Sequence, residues 1–390
     1  MPLGSWKGLR QGTTTIPAPP PESVSNIARQ STTEYDVASR AVALALAEIG
    51  DDLLRDGRSV DEAGAFHREA HSMSSIDARR LGGRDPWKPF VTNVAATRVF
   101  LSATNVTSND GDGIILTLAL NRHDEKNVVN PSMVSSLVAA LDVIDGHPEC
   151  ARTNNKALII TGLVLDDDGG TTVVDEPASK FFSNGLDLEW MMRANAETGG
   201  KGEEDSDGGG SGSGSGNAVS ELIESFNSDV LARILTLPLR TVAAINGHCI
   251  GAGLFLALAC DYRIMRTERG YLQWPEANLG MRLTKGFAEL SKAKVAGCHR
   301  NVVREGVLGA RRYTSREAIA SGIVDAECPI GELYDEAFRL AAYGLPESEL
   351  GLNLDHFNPV AYSDMKVEMY ADAFRALKFG KVGDPPHSRI

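Results

Sequence analysis

Residues 238–265 read PLRTVAAINGHCIGAGLFLALACDYRIM. TVAAI (241–245) is a short β-branched and small apolar run, the pattern of a strand buried on both faces. NGHCIGAG follows at once, then LFLALAC with helical character, then YRIMR with strand character. Glycines standing between a strand and a helix let the backbone approach a neighbour or a ligand closely. Strand, turn, helix and strand in that order imply parallel crossovers, hence an α/β core.

The same pattern recurs upstream. Thr97 to Asn105 and Gly113 to Leu120 read as strands around the turn cluster SNDGDG. Asn130-Pro131 opens a helix as N-cap and first helical residue, with Met133, Leu137, Ala140, Leu141 and Ile144 as its buried stripe. ALIIT (157–161) is a second doubly buried strand, and Val219 to Leu235 is helical. From about residue 286 the pattern is mostly helical.

Three parts do not fit this core. Residues 1–96 begin with Thr and Pro clusters and read as a poorly ordered extension, with one helical stretch near 35–55. Residues 163–180 and 194–218 carry a net charge of −4 each, and the second contains GGKGEEDSDGGGSGSGSGN. Such composition buries no apolar area and reads as a surface insertion. The domain is therefore 97–390 with two insertions, and its remainder of about 250 residues suits one α/β unit.

The whole chain carries a net charge of −13 over 390 residues. That balance argues against nucleic acid as a partner, which requires clustered Lys and Arg. No apolar run reaches the ~20 residues of a membrane span, and no apolar secretory stretch opens the chain. Five scattered cysteines without a C-x-x-C pair give no disulfide framework and no zinc site. No metal or separate cofactor is expected.

Two further segments carry chemistry. FFSNGLDLEW (181–190) places a Ser-Asn-Gly turn after the ALIIT strand, and Gly251-Ala252-Gly253 opens a helix with its partial positive charge. Two backbone N–H groups converging from separate turns make an oxyanion hole. In YLQWPEANLG (271–280), Glu276 stands among apolar residues, where a carboxylate gains a raised pKa and serves in proton transfer. Asp187 and Asp261 read as structural groups at a turn and a strand end.

LNRHDEKNVVNPSM (120–133), ALIITG (157–162), FFSNGLDL (181–188), the 238–265 stretch, PEANLG (275–280) and RRYTSREAIASGIVD (311–325) together resemble the crotonase, or enoyl-CoA hydratase/isomerase, superfamily. Within it the sequence is most similar to peroxisomal Δ3,Δ2-enoyl-CoA isomerases. The resemblance implies a crotonase-like ββα spiral core with a helical C-terminal oligomerisation region. It implies an acyl-CoA substrate in fatty-acid β-oxidation, coenzyme A being part of that substrate, and a homotrimer or hexamer.

By the same resemblance, the N–H groups of Leu186 and Ala252 form the oxyanion hole, and Glu276 is the catalytic carboxylate. Hydratases of the superfamily use a second glutamate where this chain has Phe255, which is expected to make the pocket drier. Hydration needs an acid and a base; a double-bond shift needs one proton shuttle and an oxyanion hole. Arg122 and Lys126 correspond to residues near the coenzyme A nucleotide. The alternatives are an enoyl-CoA hydratase or other crotonase-type enzyme, and a non-catalytic acyl-CoA-binding protein. Ser388-Arg389-Ile390 resembles a variant peroxisomal address, with the mitochondrion as the alternative.

Overall fold

The computed structural model describes residues 98–108, 111–146, 156–164, 180–199, 218–298, 301–344 and 358–383. The expected N-terminal extension, the Gly/Ser-rich stretch and the C-terminal tripeptide lie outside the described residues.

Strands β1 (Val99–Ser108) and β2 (Gly111–Leu120) form an antiparallel hairpin. Helix α1 (Pro131–Gly146) follows, and the Asn130 side chain accepts from the Met133 N–H at 3.0 Å as its N-cap. Next come β3 (Lys156–Thr161), β4 (Phe181–Ser183) and α2 (Leu188–Gly199). Helix α3 (Ala218–Ser225) runs through a π-helical turn, Phe226–Leu231, into α4 (Ala232–Thr236). Strands β5 (Arg240–Ile245) and β6 (His248–Ile250) lead into α5 (Ala252–Ala259). Strands β7 (Tyr262–Arg266) and β8 (Leu272–Gln273) lead towards α6 (Lys285–Val295). The chain then passes α7 (Ser315–Ser321), β9 (Ala326–Cys328), α8 (Leu333–Tyr343), α9 (Pro359–Met369) and α10 (Ala371–Phe379).

Two sheets result. The larger has the order β1-β2-β3-β5-β7-β9 and is parallel beyond the first hairpin. The smaller is β4-β6-β8, also parallel. After the first hairpin, each strand–strand–helix unit therefore contributes one strand to each sheet and then a helix. β3 and β5 are apolar over almost their whole length because both faces are covered, as the sequence pattern predicts.

One sequence boundary moves. Residues 194–199, assigned to the second insertion, continue helix α2, and Ala194 is buried in the core. The apolar residues preceding that stretch carry the helix past the point where the composition turns acidic. Leu163, placed at the start of the first insertion, is likewise buried.

Helix α9 is fastened to the core by charge, and α10 packs on it through Ala373, Ala376 and Leu377. Lys366 of α9, 5% exposed, donates to Asp261 at 2.9 Å and to the carbonyls of Leu237 and Leu239 at 3.2 Å each. Asp261 also accepts from the Thr241 N–H at 2.9 Å, which confirms its structural reading. All three Lys366 protons and both sides of the ion pair are thus satisfied, the condition for burying charge without a large penalty. Among the described residues no helix is long and apolar enough to cross a membrane.

Candidate active site

The smaller sheet sends three turns to one place. Strand β4 continues into Asn184-Gly185-Leu186, β6 into Gly251-Ala252, and β8 into Trp274-Pro275-Glu276. Gly185 has φ +91°, and a Cβ there would lie 2.9 Å from the Ile250 carbonyl oxygen and 3.4 Å from the Ala252 nitrogen. The first two turns therefore touch backbone to backbone, at a separation that a side chain would forbid. Gly251, at φ +51°, packs against the Pro275 ring, where a Cβ would sit 3.4 Å from Cγ. The third turn thus closes on the second.

The two expected donors are both open. Val129 and Leu186 form a parallel bridge in which the Val129 N–H donates to Gly185 O at 2.8 Å and the Asp187 N–H donates to Val129 O at 2.9 Å. The Leu186 N–H falls between these bonds, and among the described residues no acceptor takes it. Ala252 is the first residue of α5, whose N-cap Gly251 offers no side chain. Its N–H is one of the free donors of a helix N-terminus and adds the partial positive charge found there.

Glu276 is half-buried, and its Oε2 is buried without a hydrogen-bond partner. Burial pushes its carboxyl up to about 7 against the smaller, opposing pull of a hydrogen bond from its own backbone N–H. The 275–280 turn is held by its own backbone: the Glu276 carbonyl accepts from Leu279 and Met281, at 3.1 and 2.9 Å. A carboxyl placed this way changes protonation near neutrality, where proton transfer in both directions is least costly.

Other expected residues sit differently. Arg122 was expected at the coenzyme A phosphates, but its guanidinium is turned inward. It pairs with Asp187 at 3.2 Å, contacts Glu125, and donates to Val128 O at 3.4 Å, with its side chain 8% exposed. It ties the 122–128 loop to the first turn. Asp187 accepts from the Trp190 N–H at 3.0 Å as the cap of α2, a structural role. Phe255, expected as a pocket residue, has no exposed surface. Its ring stacks on Phe287 of α6 at 4.0 Å and 5°, with Phe226 set edge-on to Phe287 at 6.5 Å. It is a core residue behind the second turn. Lys126 is exposed beside the site: its carbonyl accepts from the Asn184 N–H at 3.0 Å, and its ammonium lies 5.8 Å from the Phe181 ring.

Ser183 and Gly253 also shape the site, although the sequence reading gave them no role beyond their places in the two turns. The Ser183 hydroxyl donates to Asn127 O at 2.7 Å and accepts from the Gly185 N–H at 3.3 Å. A Cβ on Gly253 would fall 2.5 Å from the Ser183 Cβ. Their signal was the pair of small residues flanking each turn. Among the described residues no group of His, Cys, Asp and Glu has the arrangement of a metal site.

Comparison with known proteins bears on this geometry. The family model for enoyl-CoA hydratase/isomerase matches residues 212–352. Enoyl-CoA delta isomerase 3 of Arabidopsis thaliana is 32% identical over 272 residues, covering 68% of this chain and 92% of that protein. The peroxisomal enoyl-CoA delta isomerase 2 of the same plant is 36% identical over 157 residues, covering 40% of this chain and 58% of its own length. The human mitochondrial Δ(3,5)-Δ(2,4)-dienoyl-CoA isomerase is 27% identical over 256 residues, with 65% of each chain covered. Because the alignment with isomerase 3 is 32% identical and covers 92% of that protein, the chain belongs to the enoyl-CoA hydratase/isomerase, or crotonase, superfamily and is most like its enoyl-CoA delta isomerases.

Proposed function

We propose that this protein is a Δ3,Δ2-enoyl-CoA isomerase that moves the double bond of a 3-enoyl-CoA to the trans-2 position. The observation that carries the reading is Glu276, whose Oε2 is the one buried carboxylate oxygen without a partner among the described residues, with its carboxyl raised to about 7 beside two open backbone donors. In this mechanism the thioester oxygen accepts from the Leu186 and Ala252 N–H groups. The ionised Glu276 removes a proton from C2. The electron pair moves onto the thioester oxygen, whose growing charge the two donors stabilise. Glu276 then returns the proton at C4, the C2–C3 double bond forms, and the carboxylate is regenerated.

Water addition needs a second acid–base group, and Phe255 in its aromatic stack supplies none. The similarity to plant delta isomerases supports the same reaction, and the peroxisomal name of one of them supports a peroxisomal setting. The exposed apolar residues of α9 and α10, among them Val360, Met369 and Phe379, support assembly of several copies through the C-terminal helices.

The test is turnover of 3-hexenoyl-CoA, followed as 2-hexenoyl-CoA appears. Glu276→Gln is expected to lower kcat by several orders of magnitude, and near-normal turnover would overturn the assignment. Rapid hydration of crotonyl-CoA would instead favour a hydratase. Acyl-CoA binding without any turnover would favour a binding protein.

A further inference from the structure

The Glu276 side chain does little to hold its own carboxyl in place. Among the described residues its Oε2 is buried without a partner, and the hydrogen bond the carboxyl does accept comes from its own backbone N–H. Where no neighbour grips a side chain, the backbone that carries it decides where its atoms lie. Whatever braces β8 and the turn after it therefore also places the carboxyl.

Two braces act there. The first is strand pairing. On one side of β8 the Gly251 N–H donates to Gln273 O at 3.1 Å, and on the other Leu272 exchanges hydrogen bonds with Tyr313 at 2.8 and 3.0 Å. The buried Gln273 side chain adds a bond from Nε2 to Ala310 O at 2.9 Å. The second brace begins where the strand ends, at Trp274. Its side chain has no exposed surface, and its indole N–H donates to Ser291 Oγ of α6 at 3.2 Å. The buried Ser291 hydroxyl gives its own proton to Phe287 O at 2.8 Å, which leaves its oxygen aimed as an acceptor. The indole also lies close to Gly306 of the π-helical segment Val302–Leu308, where a Cβ would sit 3.2 Å from Cζ3.

Helix α6 is shared by both halves of the site. Phe287 stacks on Phe255, three residues beyond Ala252, and Ser291, one turn further along α6, takes the bond from Trp274, two residues before Glu276. Pro275, whose ring fixes its φ, stands between the indole and the acid.

We propose that Trp274 is a positioning residue, whose hydrogen bond to Ser291 fixes the Glu276 carboxyl relative to the Ala252 donor. With no exposed surface it acts through Pro275 and Glu276 and not on substrate. Its effect on rate rests on the isomerase reading; its effect on the carboxyl does not.

The test titrates the carboxyl in the full chain without substrate. The Glu276 Cδ resonance, identified by its loss in Glu276→Gln, is followed against pH in the wild type and in three variants. Trp274→Phe keeps a ring and removes the donor. Ser291→Ala breaks the same bond from the other side and decides the matter if Trp274→Phe does not fold. Val295→Ala, in the core one turn further along α6, controls for lost stability alone. The wild type is expected to titrate at about 7. Burial is what raises that value, so a loosened turn that admits water lowers it. Trp274→Phe and Ser291→Ala should each lower it by about half a pH unit or more, and Val295→Ala should keep it. An unchanged titration in the folded Trp274→Phe or Ser291→Ala, an equal shift in Val295→Ala, or a wild type already in the ordinary glutamate range overturns the proposal. Turnover of 3-hexenoyl-CoA is read separately, and Trp274→Phe should lower kcat by about tenfold or more with KM little changed. A shifted titration in a chain that never turns over 3-hexenoyl-CoA removes the isomerase reading and leaves the positioning role. Normal wild-type turnover with an unmoved titration does the reverse.

Discussion

Gly185 and Ala252 stand in backbone contact, 67 positions apart in sequence: the place a Gly185 Cβ would occupy is 3.4 Å from the Ala252 nitrogen. This approach brings the Leu186 and Ala252 N–H groups together. It depends on a residue with φ +91° and no side chain, and only glycine meets both conditions cheaply.

Gly185→Ala is therefore expected to push the first turn off the second. The strained backbone alone costs about 1–3 kcal/mol. If the two N–H groups form the proposed oxyanion hole, loss of one aligned donor is expected to lower kcat by roughly 10²–10³-fold. Steady-state rates on 3-hexenoyl-CoA and a thermal melt separate the two effects. A variant that melts lower but keeps its kcat would show that the alignment does not matter.

The pH profile follows from Glu276. In the proposed mechanism it acts as a base and must be ionised, and burial places its carboxyl at about 7. The value of kcat/KM should accordingly fall tenfold per unit below about pH 7 and level off above it. An inflection near the ordinary glutamate range would mean that burial does not govern this group.

The same shift has a stability sign. The folded pKa of about 7 exceeds the ordinary 4.5, so the folded state binds the proton more tightly than the unfolded chain. The Glu276 contribution to stability therefore falls as pH rises from about 4.5 to 7 and keeps that deficit above it. Glu276→Gln, which carries no charge at any pH, should be more stable than wild type at pH 8, by at most about 3 kcal/mol. The gain should vanish below about pH 4.5. Urea denaturation at three pH values checks this, and an equal difference at all of them would contradict it.

Lys366→Met tests the anchor of the C-terminal helices. The substitution keeps much of the side-chain volume but strands Asp261 and the Leu237 and Leu239 carbonyls. Breaking a buried pair from one side costs about 3–5 kcal/mol. Equilibrium unfolding in urea gives that number directly, and a loss within 0.5 kcal/mol, about that of a surface substitution, would place the ion pair outside the anchor.

Much of the fold was legible because its evidence is local. ALIIT and TVAAI announce doubly buried strands by composition alone, and Asn130-Pro131 announces a helix start by capping chemistry. The acidic run after Glu197 hid the end of α2, because helix and insertion share polar residues and periodicity fades at a helix end. The partners of Arg122 were hidden for a related reason. Its positive charge is visible in sequence, but Asp187, the acid that claims it, is 65 residues away and adjacent only after β4 is paired.

By itself, the sequence determined the strand–turn–helix order, the glycines at the two turns and the lone carboxylate in PEANLG. These are properties of residue type and short-range spacing, which steric limits and burial patterns encode directly. Only the tertiary structure decided that the turns from β4, β6 and β8 meet, that Phe255 is closed into the core against Phe287, and that Arg122 is occupied while Lys126 is exposed. Each of these depends on which strand lies beside which, and sheet pairing joins residues that no local pattern relates.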